Sequence, residues 1–128
     1  MEQDISSRQI AIYIHIPFCL TPCGYCTFFR IPYSKSSLEI YLQYLHKEID
    51  LFLQYHPDLT YAKSIYFGGG TPSLLKAEEI EDICSYFIFD KEPEITLEIN
   101  PLQITENYLS ALKNTPINRL SIGVQSMN

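Results

Sequence analysis

The sequence predicts a parallel α/β fold, and three observations carry that expectation. Four short stretches alternate apolar and polar residues with a period of two: "QIAIYIHIP", "KSIYF", "EITLEIN" and "NRLSIGVQS". Each gap between them holds a segment with helical spacing of its apolar residues. Pro17 and the run Gly68–Gly70 close the first two strands. Strands separated by helices pair in parallel through crossover connections. One polar face per strand suits a barrel or half-barrel, with helices over the aliphatic face and the polar face lining a site. A doubly wound open sheet has the same alternation, so both architectures stand at this point.

The elements follow in order. In the first strand Ile10, Ile12, Ile14 and Ile16 share one face, and Ala11, Tyr13 and His15 the other. Leu38, Tyr41, Leu42, Leu45, Ile49, Phe52 and Leu53 recur at helical spacing, and Ser36 with Glu39 reads as a capping box. "KSIYF" is a second strand, closed by the three glycines. Ser73 is the expected cap of a helix over "KAEEIEDICSYFIF". A third strand sets Ile95, Leu97 and Ile99 against Thr96, Glu98 and Asn100. "TENYLSALKN" is a third helix. The last strand sets Leu120, Ile122 and Val124 against Arg119, Ser121, Gly123 and Gln125.

Composition narrows the function. A 128-residue chain with 46% hydrophobic and 19% charged residues has the material for one folded core. A net charge of −6 argues against nonspecific nucleic-acid binding, which needs a basic face. The start "MEQDISSRQI" has no signal-peptide pattern, and no apolar run is long enough to span a bilayer. The expected location is the cytoplasm, where clustered cysteines more often serve metal or redox chemistry than disulfides.

Three of the four cysteines lie in "CLTPCGYC", residues 19–26. Structural zinc wants four ligands, usually as two separated pairs. The remaining cysteine, Cys84, shares the apolar side of its expected helix with Ile80, Ile83 and Phe87, as a small buried hydrophobe would. A dithiol of Cys23 and Cys26 leaves Cys19 unexplained. Three unrelated core cysteines fit poorly in a loop broken by Pro22 and Gly24. A fourth reading is a [4Fe–4S] cluster with three protein thiolates, which would leave one iron open to a ligand. The glycine run lacks the G-K-[ST] of a nucleotide-triphosphate loop. His15 shares the face of Tyr13 and reads either as a substrate contact or as a satisfied core histidine; His46 and His56 read as surface residues.

"YIHIPFCLTPCGYC", "YFGGGTPS", "LEINP" and "RLSIGVQS" together resemble the radical S-adenosylmethionine (SAM) superfamily. More narrowly, they resemble the family of oxygen-independent coproporphyrinogen III oxidase and the haem chaperone HemW. The motifs run from Tyr13 to Gln125. The resemblance implies the N-terminal part of a radical SAM (βα) partial barrel. It implies a [4Fe–4S] cluster on Cys19, Cys23 and Cys26, with SAM on the open iron, giving a 5′-deoxyadenosyl radical on reduction. It implies SAM contacts from Tyr13, Tyr25, Gly70, Thr71, Glu98 and Gln125. The implied partners are haem or a porphyrinogen, an electron donor for the cluster and, for a chaperone, a haem-acceptor protein. Oxidase members typically carry a further cysteine two positions after the third cluster cysteine. Phe28 stands there, as in HemW-like members. Family members run to several hundred residues, so residues 1–128 read as a truncated radical SAM core, short of further strand–helix units.

Overall fold

The computed structural model describes residues 8–20 and 30–124. The elements are β1 (Ile10–Ile16), β2 (Phe18–Cys19), β3 (Ile31–Pro32), α1 (Lys35–Tyr55), β4 (Tyr61–Gly69), α2 (Ala77–Cys84), β5 (Ile88–Ile99), α3 (Glu106–Leu112) and β6 (Arg119–Ile122). β1, β4, β5 and β6 form one sheet in that order, all parallel, and β2 pairs with β3 in a separate two-stranded piece.

That strand order decides between the two architectures. A doubly wound sheet reverses direction at a switch point, so its first strand lies inside the sheet. Here each main strand lies beside the next in sequence, and β1 and β6 are the edges. The sheet is wound one way only, as in a barrel or part of one. The core lies on one face of it. Ile14, Ile16, Ile65, Phe67, Ile95 and Leu97 pack with Leu38, Leu42, Leu45 and Ile49 of α1, and with Ile80 and Ile83 of α2, in one cluster. Tyr13, His15 and Glu98 lie on the opposite face, as the alternation requires.

Helix starts differ from expectation in two places. Ser34, not Ser36, caps α1: its Oγ accepts from the Ser37 N–H at 3.1 Å, while its own backbone is extended (φ −140°, ψ 151°). β3 ends two residues earlier at Pro32, so the chain turns into helix before Ser36 can occupy the half-in position. α2 spans only Ala77–Cys84, and Glu79 satisfies the Lys76 N–H at 2.8 Å. Ser73 lies instead in a 3-10 turn over Pro72–Leu74. Ile88 and Phe89, expected in that helix, begin β5, because they pair with Tyr61 and Ala62 before a register shift at Ala62/Ser64. β5 is therefore 12 residues long. His46 is also not a plain surface residue, since its Nδ1 lies 2.9 Å from the part-buried Tyr86 hydroxyl.

At the β6 edge, Leu120, Ile122 and Val124 are 36%, 45% and 56% exposed among the described residues. Leu97, in the adjacent strand, is fully buried. Leu97→Ala is therefore expected to lower unfolding free energy by about 2–5 kcal/mol through the cavity it leaves. Ile122→Ala should cost well under about 1 kcal/mol, because its side chain already meets solvent. Urea titrations of the two variants check the contrast, and equal losses would mean that β6 is covered.

Candidate functional site

The site lies where the C-terminal ends of β1, β4 and β5 meet, the end of a parallel sheet at which loops build ligand sites. β1 runs through Pro17 into β2, whose Phe18 is 1% exposed and meets Tyr41 edge-on at 5.5 Å. The Tyr41 hydroxyl also donates to the His15 carbonyl, so α1 holds the exit of β1 from behind. Two ladder bonds then close the cysteine loop at its base: Ile31 N–H to the Pro17 carbonyl at 2.9 Å, and Tyr33 N–H to the Cys19 carbonyl at 3.0 Å. Cys19 is half-buried at the start of the loop. Cys23, Tyr25, Cys26 and Phe28 lie outside the described residues, as does Gln125.

The three glycines at the end of β4 each face a different neighbour. A β-carbon on Gly68 would stand 2.7 Å from Glu98 Oε1 and 2.9 Å from the Tyr13 hydroxyl, so only a bare backbone lets those side chains meet across β4. Gly69 has φ +118°, a conformation that favours glycine, and its N–H donates to Glu98 Oε1 at 3.1 Å. Gly70 donates its N–H to the Ile16 carbonyl at 2.8 Å. A β-carbon there would lie 2.8 Å from Cys19 Sγ and 2.6 Å from the Phe18 carbonyl. Thr71, next in line, is buried.

Tyr13 and His15 share the open side of the sheet, and the Tyr13 hydroxyl lies 3.3 Å from His15 Nδ1. His15 is exposed, so the core-histidine alternative falls. Tyr13 stacks on its register partner Tyr66 with ring centres 6.0 Å apart. Partial burial, with the Glu98 carboxylate and Tyr66 beside it, raises the Tyr13 hydroxyl above its ordinary 10.0. It therefore stays protonated near neutrality and is available as a hydrogen-bond donor.

The structure thus brings Tyr13, Cys19, Gly70, Thr71 and Glu98 to one end of the sheet. Sequence reasoning named Gly68 as a strand-end glycine but gave it no place in the site, although its parity with Tyr66 on β4 was a usable signal. It also missed the β2–β3 clip, because two-residue strands carry no periodicity.

The sequence profile described as "Radical SAM superfamily" matches residues 13–128. The chain belongs to the radical SAM superfamily. Members of that superfamily use a [4Fe–4S] cluster and SAM. A protein named heme chaperone HemW, from Buchnera aphidicola subsp. Acyrthosiphon pisum, is 38% identical over 93% of this chain and 33% of its own length. An oxygen-independent coproporphyrinogen III oxidase from Synechocystis is 32% identical over 93% of this chain and 27% of its own length. A solved structure described as coproporphyrinogen III oxidase (HemN) from Escherichia coli, a radical SAM enzyme, superposes with a TM-score of 0.81. It is 31% identical over 94% of this chain and 29% of that one. The chain thus spans about a third or less of the length of these radical SAM relatives.

Cys84, the fourth cysteine, is 2% exposed within the core, and burial pushes its thiol from an ordinary 9.0 to about 12. Thiol reagents at pH 8 should leave it unmodified in the folded chain and label it fully in denaturant, which mass spectrometry checks. The raised value favours the protonated thiol in the folded state. Its contribution to stability is therefore complete below pH 9.0 and lost as the pH rises from 9.0 towards about 12. Gly68→Ala should turn the exposed Tyr13 ring or the end of the Glu98 side chain aside at a cost of no more than about 1 kcal/mol. Thermal melts check that small change, and a large loss would show that neither side-chain end can move.

Proposed function

We propose that residues 1–128 form the N-terminal part of the radical SAM core of a HemW-like haem chaperone. In this reading the chain holds a [4Fe–4S] cluster through Cys19, Cys23 and Cys26 and binds SAM beside it. The observation that carries the reading is the close approach at Gly70. The sulfur of the first loop cysteine packs against backbone without a side chain, at the strand end that also carries Gly69 and its bond to Glu98. Three thiolates are one fewer than the usual four cluster ligands, which leaves a position for the amino-acid end of SAM. When bound, cluster and SAM together supply one-electron reductive chemistry.

The chain's own residues divide the remaining work. Gly70 and Thr71 offer backbone to the methionine end of SAM. The Glu98 carboxylate, already oriented by the Gly69 N–H, and the protonated Tyr13 hydroxyl offer an acceptor and a donor to its polar groups. Tyr25 serves the adenine, and Gln125 is a further SAM contact in this reading. An electron donor for the cluster would be the redox partner. Haem or a porphyrinogen is the small-molecule partner, and an acceptor protein receives haem. The proposed location is the cytoplasm; among the described residues no helix is long and apolar enough to cross a membrane.

Phe28 supports the chaperone reading, since it stands where the oxidase pattern has a cysteine. The HemW-named relative supports it as well. The similarity to the HemN structure favours a second reading, oxidation of coproporphyrinogen III. Anaerobic reconstitution with iron and sulfide analysis tests the cluster. Cys19→Ala, Cys23→Ala and Cys26→Ala are each expected to lose most of the bound iron, while Cys84→Ala keeps it. Stoichiometric zinc in place of iron would overturn the reading. Haem titration beside a decarboxylation assay on coproporphyrinogen III then separates the two functions: haem binding without turnover is expected, and turnover would favour the oxidase.

A further inference from the structure

The hydroxyl of Ser73 joins the two loops that carry the SAM site. Ser73 follows Thr71 and Pro72 in the loop after β4, and its side chain is buried. Its Oγ donates to Gln103 Oε1, in the loop after β5, and accepts from the Asn100 N–H at 3.4 Å. Asn100 in turn caps its own 3-10 turn through Oδ1 and the Leu102 N–H at 3.0 Å. The loop after β5 begins two residues beyond Glu98, and the loop after β4 begins at Gly70. A second tie, from the Tyr108 hydroxyl to the Leu75 carbonyl at 2.9 Å, fastens α3 to the far end of the same β4–α2 loop.

We propose that Ser73 and Gln103 form a latch that positions the Gly70–Thr71 segment against Glu98 for binding the amino-acid end of SAM. The inference rests on the reading of those three residues as SAM contacts and adds two positioning residues to it. The geometry gives the latch its point of action. β4 and β5 are ladder partners up to Phe67 and Leu97, and the Glu98 carboxylate accepts from the Gly69 N–H just beyond them. Past the glycines the ladder has ended, and the Ser73–Gln103 bond, with Ser73 Oγ accepting from the Asn100 N–H, ties the two loops together there. Neither Ser73 nor Gln103 is among the proposed SAM contacts, so the loss of the latch acts through loop geometry. A buried hydroxyl whose acceptor is removed is left unsatisfied, and the loop relaxes to find another partner.

The test uses the full chain, reconstituted anaerobically, with SAM affinity measured by calorimetry. Backbone hydrogen exchange of the peptide spanning the glycines is followed in the same samples without SAM. Ser73→Ala and Gln103→Leu are each expected to weaken SAM binding about tenfold and to speed exchange at Gly69 and Gly70, with iron content unchanged. The double variant should be no worse than either single one, as for two partners of one bond. Gln103→Glu keeps an acceptor for the Ser73 hydroxyl and should bind SAM like the parent. Tyr108→Phe loosens the same loop at Leu75 and is the control for general destabilisation; its SAM affinity should stay within about twofold of the parent. Equal SAM binding by the parent, Ser73→Ala and Gln103→Leu overturns the latch alone, as does an equal loss in Tyr108→Phe. A parent chain that takes up iron but binds no SAM overturns the SAM reading itself and the latch with it.

Discussion

Gly70 donates to the carbonyl of Ile16, and the space where its side chain would stand is taken by the Phe18 carbonyl and the sulfur of Cys19. The rest of the site depends on that close approach of β4 to the exit of β1. It sets the first cysteine of the loop directly over the strand end that also carries Gly69 and its bond to Glu98. Any side chain at Gly70 would clash with the Phe18 carbonyl and the Cys19 sulfur and force the chain after β1 to shift. The hydrogen bond and the missing β-carbon together set how closely β4 approaches that turn.

Electrostatics then fill in what sterics leave open. Glu98 faces an open side of the sheet, where an isolated carboxylate could adopt many rotamers. The Gly69 N–H fixes one oxygen, and the Gly68 slot brings Tyr13 up beside it. Tyr13 is in turn held by its stack on Tyr66 and its contact with His15. The result is an acceptor and a protonated donor presented together at one strand end, opposite a thiol. A zwitterionic amino acid, with one ammonium and one carboxylate, matches that pairing of functions.

Much of this was legible in the sequence. Period-two alternation correctly assigned Tyr13 and Glu98 to the face opposite Ile14 and Leu97, which lie in the core, because β1 and β5 pack their aliphatic face against the helices. The cysteine spacing pointed to the superfamily without help from the fold. Strand order was not legible, since winding direction is a tertiary fact that alternation does not encode. The first two residues of β5, Ile88 and Phe89, were misassigned to a helix because "SYFIF" fits either period, and only their pairing with Tyr61 and Ala62 decides it. Ser73 looked like a helix cap for a similar reason. The serine was correctly flagged as a local hydrogen-bonding residue, but its partner is Gln103 in another loop, which no local pattern can announce.

The central claim is that the cysteine loop and the glycine–Glu98 end of the sheet form one site for one ligand. Pulsed electron paramagnetic resonance on the reduced, reconstituted chain tests it most directly, using SAM labelled with nitrogen-15 at its amino group. The account predicts a hyperfine coupling between that nitrogen and the cluster, unchanged in Cys84→Ala and lost in Gly70→Val. A cluster signal that carries no nitrogen coupling, while calorimetry shows SAM bound, would place ligand and metal at separate sites and contradict the account.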